Sequence, residues 1–280
     1  MDPLHVVILL FSGLTGGFVA GLVGVGGGIV FAPVLFFFFQ ATGVAPEFLA
    51  PMTVGTSLLC TLTASAMSGW QHHLKRSVRW DISIRVGFLS AAALYLVVSF
   101  VTTEPWYDRF AFQLVFGLLL LIVAIRMFFE NGSGSDENVE GAAVSEHPST
   151  VILGAIGSAA GTVAALAGVG GGVVMVPAFH QILRLPMRVS VGTSSGAIIL
   201  ISTIGVTVYA ISGWSEVTGP WMLGYVDIAG GTILGVPGIL GARIGARLAH
   251  HLPRKALRGA FAVIALVVAG RMIVAAVSGM

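Results

Sequence analysis

A chain of 280 residues that is 56% hydrophobic and only 9% charged, with a mean hydropathy of +0.97, lies outside soluble globular composition and within that of polytopic membrane proteins. Its formal charge of +2 is too small to call for a nucleic-acid partner, so the basic residues behind the pI near 9.0 read as orientation signals in a bilayer. The single cysteine, Cys60, excludes an intrachain disulfide or a thiolate cluster and reads as a small core residue.

A helix needs about 20 apolar residues to cross the hydrocarbon, so this length holds roughly ten spans and little soluble domain. The N-terminus carries Asp2 and no basic segment, and its apolar stretch runs on into the chain, which reads as a first span and not a cleaved signal. Apolar runs and breakers then place spans near 4–23, 28–40, 49–70, 81–102 and 110–129. Residues 131–149 hold Asp136, Glu137, Glu140 and Glu146 among Asn, Gly and Ser, which reads as a polar linker. Further spans follow near 150–168, 172–184, 189–213, 221–249 and 255–277. The predicted organisation is a first membrane repeat over 1–130, the linker over 131–149 and a second repeat over 150–280. The 28–40 and 172–184 runs are short for a full crossing and read equally as half-helices or re-entrant arms.

One stretch occurs twice. Gly24-Val25-Gly26-Gly27-Gly28 followed by Pro33 returns as Gly168-Val169-Gly170-Gly171-Gly172 followed by Pro177, 144 residues later, with eleven identities in seventeen positions between Gly17–Pro33 and Gly161–Pro177. Three consecutive glycines and a nearby proline predict unwound or kinked backbone, and in hydrocarbon such backbone survives only against protein or a watery cavity. The repeats also share Val54-Gly55-Thr56-Ser57 with Val191-Gly192-Thr193-Ser194, Ser68-Gly69-Trp70 with Ser212-Gly213-Trp214, and Arg126-Met127 with Arg271-Met272.

Five spans per repeat require the second repeat to enter from the opposite side. On this count Lys75, Arg76, Arg79, Arg85, Arg126, Arg184, Arg188, Arg243, Arg247, Arg254, Lys255 and Arg258 fall on the side opposite the N-terminus, and only Arg109 and Arg271 lie toward the N-terminal side. The positive-inside rule makes the first side cytoplasmic, with both termini outside and the linker inside a cell (inner) membrane. Equivalent loops carry opposite charge: Glu47 against Arg184 and Arg188, and Glu104 and Asp108 against Arg254 and Lys255. The expected fold is an all-α polytopic membrane protein of about ten transmembrane or half-spanning helices in two inverted-topology five-helix repeats.

The doubled Gly-Gly-Gly-x-x-x-x-Pro, the Gly-Thr-Ser in the following span, and Val226-Asp227 running on through Gly241-Ala242-Arg243-Ile244-Gly245-Ala246 resemble the TauE/SafE family, associated with sulfite, organosulfonate and related sulfur-anion transport. The likeness covers nearly the whole chain except 131–149. It departs in the fourth span, where bulkier Leu89-Ser90-Ala91-Ala92-Ala93-Leu94-Tyr95-Leu96 stands where the family carries glycines.

Candidate substrate-binding residues follow from the doubled stretch. A helix beginning after Gly28 or Gly172 presents unsatisfied amides and the positive end of its dipole, so Gly26, Gly27, Gly28, Gly170, Gly171 and Gly172 suit an anion. Close helix packing through small residues is the other reading. Thr53, Thr56 and Ser57, with Ser190, Thr193 and Ser194, place hydroxyls in the first turns of the third and eighth spans, free either to donate to an oxyanion or to bond back to their own helices. Asp81 and Asp227 read as helix caps, with no proton coupling assigned to them. His72-His73 and His250-His251 are adjacent pairs, ill suited to a metal chelate, and read as interfacial loop residues. Arg243 and Arg247 share a face and either snorkel or attract an anion. No hydrolase or nucleotide motif is present, so neither a cofactor nor a resident metal is expected. The expected activity is that of a secondary transporter, an exporter of a small sulfur-containing anion such as sulfite or an organosulfonate, bound near the midplane between the repeats. A membrane scaffold or assembly partner, and an importer of another small organic anion, remain open alternatives. Proton and sodium both remain open as the coupling ion, and an oligomer is compatible with the sequence.

Overall fold

The computed structural model describes residues 3–102, 107–129, 148–249 and 254–277. The first five helices are α1 (Pro3–Val23), α2 (Gly28–Ala41), α3 (Pro46–Leu74), α4 (Trp80–Val97) and α5 (Arg109–Phe129). They are followed by α6 (Thr150–Ala167), α7 (Gly172–Gln181), α8 (Met187–Ser212), α9 (Ile228–Leu248) and α10 (Arg254–Val277). A π-turn, Val98–Thr102, closes α4, and a short antiparallel hairpin of β1 (Met222–Leu223) and β2 (Val226–Asp227) precedes α9. Among the described residues six helices are long and apolar enough to cross a membrane. Apart from Pro148 and Ser149, the predicted linker lies outside the described residues, as does Glu104.

The architecture repeats itself with opposite sense. Helix α3 crosses its counterpart α8 in antiparallel fashion, with the Ser68 and Ser195 hydroxyls 2.9 Å apart on one side of the crossing and Gly205 against Leu58 on the other. Two counterparts running in opposite directions are what an inverted repeat requires. Every main packing pair has its mate: α1 on α9 with α6 on α4, α9 on α3 with α4 on α8, and α2 on α3 with α7 on α8. Helices α5 and α10 pair with each other.

Small residues make these approaches possible. Along α1, Gly13, Gly17 and Gly21 meet the backbone of Leu234, Gly238 and Ala242 in turn, so α1 and α9 run parallel with no room for a side chain between them. Without water to drive apolar faces together, close backbone packing of this kind is what holds membrane helices. The mate pair is built on one side only: Gly157 and Gly161 of α6 lie against α4 at Val86–Ser90 and Ser90–Ala93. Ser90 and Ala93 supply there the small surface that glycines supply on α9. The buried core holds Phe31, Phe36, Phe112 and Phe116, with Phe36 stacked on Phe112, while Phe11, Phe88, Phe100 and Val267 project outward where lipid would lie.

Several boundaries and one cap differ from the sequence reading, α3 running over Pro46–Leu74 and not 49–70. Helix α7 stops at Gln181 and not 184, because Arg184 adopts a positive φ of 53° and Pro186 disfavours helix before it. The ninth span begins at Ile228 and not 221, since Gly224, at φ 57°, turns the preceding residues into the hairpin. Asp81 does not cap α4: Arg79 holds the cap position, and Asp81 pairs with its guanidinium at 2.7 Å.

Candidate functional site

The two glycine loops fold alike. Gly24, Gly26 and Gly27 have φ of 72°, 89° and 75°, and Gly168, Gly170 and Gly171 have φ of 68°, 73° and 77°. A side chain is penalised in that left-handed region, so the triple glycine is a requirement of the backbone path. Gly27 and Gly171 are the N-caps of α2 and α7. Each loop turns its helix back from the centre of the bundle, so α2 and α7, of 14 and 10 residues, reach only about 21 and 15 Å. They are half-helices, and they start side by side.

The loops touch each other. A methyl on Gly28 would lie 2.5 Å from the Gly168 carbonyl oxygen, and one on Gly172 would lie 2.7 Å from the Cα of Val25. Both loops sit against the middle of the α3–α8 crossing, where a methyl on either Gly26 or Gly170 would meet Thr61 at 2.8 Å and Ile198 stands opposite. In each helix the third and fourth amides are already used: Val30 and Phe31 donate to Gly27, and Val174 and Met175 donate to Gly171. No described group accepts from the amides of Gly26, Gly27, Gly28 and Ile29, or of Gly170, Gly171, Gly172 and Val173. Two helix N-termini, each with open amides and a partial positive charge, therefore converge on one buried place.

The hydroxyls have other engagements. Ser57 donates to the Gly168 carbonyl and Ser194 to that of Gly24, both at 3.0 Å, so each repeat clasps the other's loop. Thr56 accepts from the backbone amide of Asp227, and Thr193 from that of Arg79, again both at 3.0 Å. Ser190 donates to Leu185 at 3.3 Å. Thr53 is brought into the same core with its hydroxyl unpartnered among the described residues. Sequence reading missed Thr61, Ser65 and Ser202, whose buried hydroxyls are likewise unpartnered among the described residues. The signal was available: Ser57, Thr61 and Ser65 follow at intervals of four, as do Ser194, Ile198 and Ser202, one face of a helix in each repeat.

Other candidates lie away from the loops. His72 and His73 belong to the last turn of α3 and not to a loop; His72 is buried with Nε2 3.4 Å from the Gly21 carbonyl, and Trp80 donates to His73 at 3.0 Å. His250 and His251 lie outside the described residues. Lys75 ends α3 beside Arg188 and Arg247; burial first, then those two guanidinium charges, hold its ammonium below the usual lysine range. Arg243 and Arg247 are exposed on α9. An apolar cleft of about 270 Å³ between α5 and α6, lined by Val115, Leu119, Ile122 and Leu166, offers nothing to an anion.

Comparison with known proteins finds membrane transporters. The family model described as sulfite exporter TauE/SafE matches residues 9–272. A probable membrane transporter protein of Methanocaldococcus jannaschii is 28% identical over 259 residues, covering 90% of this chain and 89% of that protein. One of Haemophilus influenzae is 25% identical over 270 residues, covering 95% and 97%, and the Bacillus subtilis probable membrane transporter protein YunE is 27% identical over 243 residues, covering 80% and 87%. No solved structure matches.

Proposed function

Because the chain belongs to the sulfite exporter TauE/SafE family of membrane transporters, we propose that it is a secondary transporter of a small sulfur-containing anion, such as sulfite or an organosulfonate. The observation that carries this reading is the meeting of two half-helix N-termini with open amides at the centre of the bundle. Each such end contributes roughly 0.5 to 1 kcal/mol toward a negative charge, more where water is excluded. A scaffold has no use for unwound backbone at that depth.

In this proposal the anion is held by the amides of Gly26–Ile29 and Gly170–Val173, with the Thr53 and Thr61 hydroxyls as further donors. Ser57 and Ser194 hold the two loops together and part from their carbonyls as the repeats move. Access then alternates by rocking one repeat against the other. Export is the direction the family's description names; uptake of another small anion is the alternative.

The test is ligand-dependent stabilisation of the purified protein against sulfite, sulfate, thiosulfate, sulfoacetate and simple carboxylates. A ligand that binds only the folded state adds about 2.7 kcal/mol at a hundred times its Kd. Sulfite or a sulfonate should raise the melting temperature in a saturable way, and carboxylates should not. Equal response to every anion, or to none, overturns the assignment.

A further inference from the structure

The two repeats differ at one helix-capping position, buried only in the second, that the fold does not require them to differ at. In repeat one, the backbone amide of Arg79 donates to Thr193 and opens α4; in repeat two, the backbone amide of Asp227 donates to Thr56 and opens α9. The shared contact uses only the main chain of the capping residue. Arg79 makes no side-chain cap and turns its guanidinium to Asp81. Asp227 turns its carboxylate inward, where it is 7% exposed and Oδ1 accepts from Gly230 at 3.1 Å.

No cation faces that carboxylate among the described residues. The only ion pair found there is Arg79–Asp81. From α3 Asp227 meets the Thr56 hydroxyl and Cys60, whose thiol donates to Gly231 at 3.4 Å and lies within electrostatic reach of the carboxylate. From α2 the Phe38 ring packs near Gly230, with His5 of α1 behind it at 5.7 Å. On the hairpin stand Tyr225 and, beside it, Glu216. With no counter-cation, only the amides at the start of α9 offset the cost of this buried charge, and a proton on the carboxylate would remove that cost. A metal cation needs several oxygen ligands, which here would have to come from backbone carbonyls and hydroxyls, since no group of three His, Cys, Asp or Glu side chains is found among the described residues. A proton needs one oxygen.

We propose that Asp227 is the proton-coupling residue of this transporter, taking up a proton together with the anion. Thr56, which holds the Asp227 amide, is followed by Ser57, which holds the Gly168 carbonyl of the glycine loop. The support of the carboxylate and the clasp of the glycine loop are thus consecutive residues of α3. The negative charge of an anion at the half-helix ends favours the protonated carboxyl, and the protonated carboxyl favours the anion, so the two bind together and move in one direction. Net flux then follows the sum of the two gradients: an internal anion excess drives efflux, and an inward proton gradient opposes it.

This inference rests on the transport reading, so its test has an arm that needs no substrate. Asp227→Asn keeps a good helix cap but cannot ionise; Asp227→Glu restores the acid. In proteoliposomes with labelled sulfite and the voltage held at zero, wild type and both variants should show exchange at equal pH. A proton gradient should drive accumulation more than ten-fold in wild type, not in Asp227→Asn, and again in part in Asp227→Glu. In purified protein without sulfite, the infrared carbonyl band of a protonated carboxyl that titrates in wild type should vanish in Asp227→Asn. Proton-driven accumulation that survives in Asp227→Asn overturns the proposal, as does an unchanged infrared spectrum. If wild type exchanges no sulfite, the substrate reading fails and the infrared arm alone decides Asp227. Should Asp227→Asn fail to fold, Asp227→Ser, an equally good cap, carries the same comparisons.

Discussion

Gly27 and Gly171 hold φ of 75° and 77°, and a methyl at either would also press on backbone, at 2.8 Å from the Gly16 oxygen and 2.6 Å from that of Ala160. Left-handed backbone costs a side chain about 1 to 2 kcal/mol and overpacking adds roughly 1 to 3. Gly27→Ala and Gly171→Ala should each lower stability by about 2 to 5 kcal/mol in denaturant or thermal unfolding in detergent. Gly154 is the contrasting site: nothing lies within 4 Å of an added methyl and its φ is helical, so Gly154→Ala should stabilise by up to about 1 kcal/mol. The loop clasps give a paired expectation. Ser57→Ala and Ser194→Ala each leave a buried carbonyl without its 3.0 Å donor, a loss of roughly 1 to 3 kcal/mol. The two losses should be alike, and a large difference between them would contradict the symmetry of the loops.

Helices α1 and α9 depend on contact without side chains. Gly17 lies directly against the Gly238 backbone, so Gly17→Val should separate the pair and abolish folded yield in size-exclusion chromatography. Gly270→Val on α10, where nothing lies within 4 Å, should leave that yield unchanged. The end of α3 carries a second expectation. Because burial and the Arg188 and Arg247 charges hold Lys75 below the usual lysine range, more of its amine is uncharged at mildly alkaline pH than in an ordinary lysine. Lys75 should therefore react faster with an amine reagent than a free peptide lysine does, and Arg188→Gln with Arg247→Gln should slow it. High salt should slow it too, since exposed charges are screened.

For the whole molecule, the distribution of basic residues sets the proposed orientation: both termini outside and residues 131–149 in the cytoplasm. With Cys60, which is buried, replaced by Ala, engineered cysteines in that segment should resist an impermeant thiol reagent in intact cells and react after lysis. Lys75 should behave likewise toward an impermeant amine reagent. Labelling of both from outside would reverse the orientation while leaving the inverted architecture intact.

Much of this was legible in the sequence because it rests on local chemistry. Apolar runs of helical length specify spans, the doubled Gly-Val-Gly-Gly-Gly specifies two loops that only glycine can follow, and opposite charges on equivalent loops specify inversion. What the sequence could not contain is who meets whom. Ser57 and Ser194 read as donors either to an oxyanion or back to their own helices, until the crossing of α3 and α8 set each against the other repeat's carbonyl. Thr56 read likewise until the hairpin, concealed in an apolar run, brought the Asp227 amide to it. His72 read as an interfacial loop residue because an adjacent pair suits a metal chelate poorly, and the packing of the end of α1 and of Gly192 on α3 buries it. The two half-helix ends are local features, but their meeting depends on residues more than a hundred positions apart, and such contacts are decided by the packing of whole helices, which no short stretch of chain encodes.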